Sequence, residues 1–147
     1  MGLFDKIIGG AAGDRLLNVE EAFAAVLLVA VAADGHVSDE EKREFAAIVN
    51  RVQLYRAMNG DQFSAMMDKL HGLHRREGSE RLIERAAQSL PSELRETVFA
   101  LAADLVLADG SVEADEKTLL ELLQSRLGIG DGLALRVVEV LAIKNRG

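Results

Sequence analysis

Length and composition restrict this chain to one folded domain with a core of its own. Its 147 residues are 49% hydrophobic, which is enough to bury a core without cross-links. The 17 basic and 24 acidic residues give a net charge of −7, which repels a phosphate backbone and argues against nucleic-acid binding. The absence of cysteine excludes disulfides, thiolate-bound zinc, iron–sulfur clusters and a cysteine nucleophile.

The first 14 residues form an N-terminal amphipathic segment, and we expect one helical domain over residues 15–147. Residues 3–8, LFDKII, combine apolar side chains with one acidic and one basic side chain. Such a segment either packs on the domain or lies on a membrane surface. No secretory signal is evident, and the longest apolar run, residues 22–33, is too short to span a bilayer. We therefore expect a cytoplasmic protein, with peripheral membrane contact through this segment as the alternative.

The rest of the chain predicts helices throughout. It contains one proline, and no stretch alternates β-branched with polar residues as a strand does. Capping boxes at Asn18–Glu21 and Ser38–Glu41 begin the first two helices, and Pro91 suits the first turn of a later one. The predicted helices span residues 19–33, 38–52, 62–76, 79–89, 91–108, 115–127 and 131–144. The expected fold class is therefore all-α, with about seven helices in one compact domain.

One segment of the sequence occurs twice, with its Asp-Gly pairs 75 residues apart. AVAADGHVSDEEK at residues 30–42 aligns with LVLADGSVEADEK at residues 105–117. In each copy an apolar helix ends at an Asp-Gly turn, a valine follows, and the next helix begins with acidic residues. This duplication predicts two helix pairs related by a pseudo-twofold axis around one core.

The repeated segment carries part of a calcium-binding pattern. Asp-Gly-x-Val-x-x-x-Glu matches the second half of an EF-hand loop, but alanine or leucine occupies the earlier ligand positions, which excludes a complete EF-hand. We expect one or two partial sites instead, and the candidate metal ligands are Asp34, Glu41, Asp104, Asp109 and Glu116. Oxygen ligands favour calcium or magnesium, with waters completing the shell. Alternatively, the same carboxylates cap helices and form turns.

Asp104 differs from the other four candidate ligands because it lies within an apolar run, residues 98–108. Burying a lone carboxylate is costly, so we expect Asp104 to be at least partly buried and to have a partner. The partners that the sequence suggests are Arg126, Lys117, a helix N-terminus or a cation.

These motifs resemble those of the tellurite-resistance TerB-like family. The resemblance rests on the two ADGxV…E segments, residues 33–41 and 108–116, together with Asp104, the opening residues 2–6 and the late residues 127–129. It implies a seven-helix fold and a cytoplasmic or membrane-peripheral role in the stress response. It also implies an interaction module, and it suggests metal binding through the acidic motifs.

We therefore expect a non-enzymatic interaction domain, associated with tellurite resistance and the stress response, that binds protein partners and is tuned by a divalent cation. Two alternatives stay open at this point. One is a metal-dependent enzyme that uses the acidic cluster, and the other is a peripheral membrane scaffold docked through the N-terminal segment.

Cation binding can be tested by thermal unfolding. A cation that binds only the folded state raises the melting temperature as its concentration increases. We expect calcium or magnesium to raise the melting temperature relative to chelator, and an Asp109→Asn, Glu116→Gln double variant to lose most of this response. If the parent protein melts identically in calcium, magnesium and chelator, these carboxylates act as caps and turn formers.

Overall fold

Seven α-helices account for most of the residues that the structure describes. The structure, a computed structural model, describes residues 17–32, 39–108 and 114–146. The helices are α1 (Val19–Val31), α2 (Asp39–Arg51), α3 (Gly60–Glu77), α4 (Ser79–Ser89), α5 (Ser92–Val106), α6 (Ala114–Leu127) and α7 (Asp131–Lys144). A 3₁₀ turn, Gln53–Tyr55, joins α2 to α3, and no strand occurs within the described ranges.

The all-α prediction is confirmed. Each of the seven predicted helices is present, and each end lies within two residues of its predicted position. The 3₁₀ turn was not predicted from the sequence. The predicted amphipathic segment, residues 1–14, lies outside the described residues.

Local capping determines where several helices begin and end. At α1, the Asn18 side chain accepts a hydrogen bond from the Glu21 N–H at 2.7 Å, and the Asn18 N–H donates to Glu21 Oε1 at 3.0 Å. These two bonds satisfy N–H groups that the helix itself cannot pair. At the end of α6, Gly128 has a φ of 69°, and the Ile129 N–H donates to the Gln124 carbonyl at 2.9 Å. This is the left-handed helix end that glycine favours.

The core is built around α1, which is apolar on all sides. Residues 22–31 of this helix are all buried. Its largest contacts are with α4 and α5, and α2 and α3 also pack on it. A helix without a polar face has to be enclosed by other elements, so α1 lies at the centre of the fold.

The sequence repeat corresponds to two helix pairs, α1–α2 and α5–α6. The helices of each pair pack on one another, and the first helix of each pair, α1 and α5, are in contact. These contacts agree with two pairs around one core. Both Asp-Gly turns lie outside the described residues, so the superposition of the two pairs stays a prediction.

Arg95 of α5 fixes the end of α4. Its guanidinium donates to the Ala87 carbonyl at 2.6 Å and to the Leu90 carbonyl at 2.8 Å. These carbonyls have no partner within their own helix, and a cation at a helix C-terminus also complements the helix dipole. The contact therefore holds the first turn of α5 against α4.

Tyr55 follows α2 and is buried against the core. Its hydroxyl donates to the Glu20 carbonyl at 2.7 Å, and its ring meets Phe23 and Phe63 edge-on, each at a centroid distance of 6.2 Å. Burial, with the nearby negative charge of Glu20 as a second cause, raises the pKa of Tyr55 well above its usual value.

The raised pKa of Tyr55 predicts that this residue makes the protein less stable at alkaline pH. The raised pKa means that folding favours the neutral phenol, so the stabilisation is complete below the unfolded pKa of about 10 and is lost as the pH rises above it. Tyr55 is the single tyrosine and tryptophan is absent, so ultraviolet absorbance of tyrosinate reports this residue alone. We expect no tyrosinate in the native protein at about pH 10, where half of the unfolded chain is ionised.

Tyr55→Phe is the matched variant for denaturant unfolding. At neutral pH it should lose about 1 kcal/mol, the usual value of one hydrogen bond, and above about pH 10 its stability should fall less than that of the parent. Equal titration midpoints for native and unfolded protein would contradict this prediction.

Candidate functional site

A cleft of about 640 Å³ lies between α1, α2 and α5. Its wall is mainly apolar, and the fully buried Phe23 of α1 forms part of it. The half-buried apolar side chains that line it are Ile48, Val52, Leu54, Leu94 and Leu101. Its polar lining residues are Arg51, Gln53, Thr97 and Asp104. Its volume and apolar character are typical of ligand-binding sites in proteins.

Helical spacing explains why these side chains meet at the cleft. On α2, Ile48 and Arg51 are three residues apart and therefore share one face, and Val52 directly follows the helix. On α5, Leu94, Thr97, Leu101 and Asp104 are three or four residues apart and share a face in the same way. The two walls therefore come from different halves of the sequence repeat.

The polar groups of the cleft differ in whether they have partners. The Thr97 hydroxyl donates to the Glu93 carbonyl of its own helix at 3.0 Å. Asp104 Oδ1 accepts from Lys144 Nζ of α7 at 3.1 Å. Arg51 is exposed and has no hydrogen-bond or ion-pair partner among the described residues. Among its described lining residues, the cleft therefore presents one guanidinium that is available to a ligand.

Asp104 is partly buried and paired, as the sequence predicts. Its side chain is 28% exposed, and its partner is Lys144, which was not among the partners that the sequence suggests. Arg126, which was among them, pairs with Glu80 and Glu84 of α4 instead. The prediction of the partner was wrong because the pair joins residues far apart in the chain and depends on how α7 docks.

The structure places the predicted metal ligands unevenly. Asp34 and Asp109 lie outside the described residues, and so does the side chain of Glu41. Asp104 is bound to Lys144, and Glu116 is half-buried in the first turn of α6. Within the described ranges, no three histidine or acidic residues are grouped so as to hold a metal ion. The cation sites therefore stay a prediction.

The cleft itself was not predicted from the sequence. The apolar spacing of Ile48 and Val52 predicts that this side of α2 faces the protein. The same spacing occurs in a closed core and in the wall of an open cleft, so it does not distinguish the two. Among the helices described, none is both long and apolar enough to cross a membrane.

Comparison with protein families gives a match over most of the chain. A family model described as "Tellurite resistance protein TerB" matches residues 20–137, from the second residue of α1 into α7. This range contains the whole cleft. Comparisons with curated proteins and with solved structures gave no match.

The Asp104–Lys144 ion pair should contribute only modestly to stability. Because the Lys144 side chain is 58% exposed, water screens the attraction, and such pairs contribute about 0.2–1 kcal/mol. A double-mutant cycle of Asp104→Asn and Lys144→Gln, followed by urea unfolding, should give a coupling energy in this range that decreases in about 1 M salt.

Glu96→Gln is the matched control, since Glu96 is an exposed carboxylate on the same helix. When Glu96→Gln is combined with Lys144→Gln, the changes in the free energy of unfolding should be additive. A coupling energy of zero for Asp104 and Lys144 would show that the pair does not persist in solution.

Proposed function

The chain belongs to the TerB family, which is associated with tellurite resistance, and from this premise we propose that it is a non-enzymatic domain that binds a protein partner in the cleft between α1, α2 and α5. The observation that carries the proposal is the composition of the cleft wall. Half-buried apolar side chains surround it, and Arg51 stands beside them without a partner among the described residues.

The cleft favours binding over catalysis for a chemical reason. A nucleophile needs an adjacent base, and general acid–base catalysis needs a titratable group within reach of the substrate. The Thr97 hydroxyl donates to its own helix, and Asp104 is paired with Lys144. No histidine or second carboxylate is among the described residues that line the cleft. These groups support a binding role.

The partner that matches this wall is an amphipathic helix with an acidic residue. The α2 and α5 faces form an apolar groove, and grooves of this kind accept apolar side chains spaced three and four residues apart. Each large apolar side chain that becomes fully buried contributes about 1.5–3 kcal/mol. An acidic residue beside this apolar face would accept hydrogen bonds from Arg51, which fixes the direction of the partner.

A divalent cation is the second part of the proposal. Calcium or magnesium would be held by Asp34, Glu41, Asp104, Asp109 and Glu116 and would tune partner binding. The support for this part is the repeated acidic motif in the sequence. Asp104 connects the two parts, because it is a candidate ligand and also lines the cleft.

The test uses the absence of cysteine from the chain. A benzophenone attached to Leu54→Cys would lie at the cleft, and one attached to Gln88→Cys would lie on an exposed position of α4 outside it. Irradiation in extract of the cells that carry the protein should give an adduct that is specific to the Leu54 position. Mass spectrometry then identifies the partner, which is purified for direct binding measurements.

Calorimetry with the purified partner decides the proposal. We expect Leu101→Glu and Arg51→Glu each to weaken binding at least about tenfold, the effect of losing one charged hydrogen bond or one apolar contact. Gln88→Glu is the control and should bind like the parent, and circular dichroism checks that all variants remain folded. Equal affinity of the parent and Leu101→Glu, or the lack of an adduct specific to Leu54, would contradict the proposal.

A further inference from the structure

The exposed large apolar side chains of the described residues lie on one helix, α7. They are Leu135, Val140 and Ile143, which are 59%, 61% and 64% exposed. The opposite side of α7 packs chiefly on α5, through Leu141 with Ala103 and Leu107. The helix therefore has two apolar sides, of which only one is covered. Scattered exposed apolar residues need no explanation, but a concentration on one helix face marks an interaction surface.

The exposed face has a regular order along the helix. Gly132, Arg136, Glu139 and Ile143 are four, three and four residues apart, so they form one stripe along α7. Leu135 and Val140 lie beside this stripe. We call this stripe and these two residues the outer face of α7. Spacings of three and four residues are those by which two helices pack along a common seam.

We propose that the outer face of α7 is a self-association surface, at which a second copy of this chain docks with its own α7 antiparallel to the first. The choice of a second copy as the partner follows from the pattern of charge on the face. A two-fold axis at the level between Val137 and Val138 brings Arg136 opposite the partner's Glu139 and Ile143 opposite the partner's Gly132.

The charges are complementary in this register. Arg136 faces the partner's Glu139, and Glu139 faces the partner's Arg136, so two ion pairs form across the axis. In a parallel pair of helices, Arg136 would face the partner's Arg136, and like charges would oppose one another. The antiparallel arrangement is therefore the one that the charges favour.

The exposed apolar residues meet their own counterparts in the same register. Leu135 and Val140 lie on opposite sides of the stripe, and a two-fold axis keeps each side with itself, so Leu135 lies beside the partner's Leu135 and Val140 beside the partner's Val140. Ile143 faces the partner's Gly132. Among the described residues, a Cβ added at Gly132 would meet only Arg136 Nη1, at 3.9 Å. This flexible guanidinium would leave the glycine when it pairs with the partner's Glu139, which frees the position for an isoleucine. One register thus places all three large exposed apolar residues of α7 at the contact.

The interface is small, so the dimer should be weak. A single pair of helices buries less surface than the roughly 1,200–2,000 Å² of a standard interface. We expect dimers at protein concentrations on the order of 100 µM and monomers when diluted about a hundredfold. The cleft takes no part in this contact, and the inference therefore does not depend on the proposed partner binding.

Sedimentation equilibrium of the full chain tests the proposal through charge reversal. Arg136→Glu or Glu139→Arg alone places like charges opposite one another and should weaken dimerisation at least about tenfold, whereas the double variant restores both pairs and should recover most of the affinity. Ile143→Glu should give a monomer. Glu96→Arg, an equal charge change at an exposed position of α5, should dimerise like the parent.

Four results of these experiments would overturn the proposal or its register. A parent protein that stays monomeric at about 500 µM overturns the proposal, and so does a dimer that Ile143→Glu leaves intact. Failure of the double charge reversal to recover dimerisation overturns the antiparallel register. Melting curves at low protein concentration show whether any variant has lost its fold. Nuclear Overhauser contacts from Ile143 to residues 1–16 in a monomer would show that the chain covers this face itself, which also overturns the proposal.

Discussion

The enclosure of α1 is the constraint on which the rest of this structure depends. Residues 22–31 are buried without interruption, so the helix has no side that water can solvate. Burial of apolar surface contributes about 25 cal/mol per Å², and a helix that is apolar on all sides obtains this contribution only while its neighbours remain in place. The surrounding helices α2, α3, α4 and α5 depend on α1 in the same way, because their own apolar faces pack on it. Helix α1 and the shell of helices around it, α2, α3, α4 and α5, should therefore fold together.

The cleft is a consequence of how this shell is arranged. Both α2 and α5 pack on α1, but they make little contact with each other. The space between them leaves Ile48, Val52 and Leu101 half-buried, whereas Phe23 beneath them is fully buried. The packing of α2 and α5 on α1 thus leaves the cleft open, and Val52, Gln53 and Leu54, which follow α2, also line it. The side chains that line it also stabilise the core, so a substitution at the cleft has to be judged by binding and by stability together.

The parts of the fold that were predictable from the sequence depend on residues close together in the chain. The capping box at Asn18 and the left-handed helix end at Gly128 each involve a few neighbouring residues, and both are present in the structure. The Asp104–Lys144 pair and the cleft depend on how distant helices dock. Apolar periodicity shows which side of a helix faces the protein, but it does not show whether another helix closes over that side. For this reason the spacing of Ile48 and Val52 indicates a side that faces the protein, although the structure leaves both residues half-buried at the cleft.

The last turn of α7 lies between Asp104, a candidate cation ligand, and the proposed self-association surface. Lys144 holds Asp104, and its neighbour Ile143 lies on the outer face of α7. A divalent cation at Asp104 and the ammonium group of Lys144 would repel one another at contact distance, so binding of the cation requires Lys144 to leave. The apolar contacts of Val137 and Val138 with the cluster of Ala103, Leu107 and Leu141 would keep the middle of α7 in place meanwhile. Any effect of the cation on self-association would therefore pass through this one turn, where Ile143 would meet the partner's Gly132. The proposed charge pairs near the centre of α7 should remain unaffected.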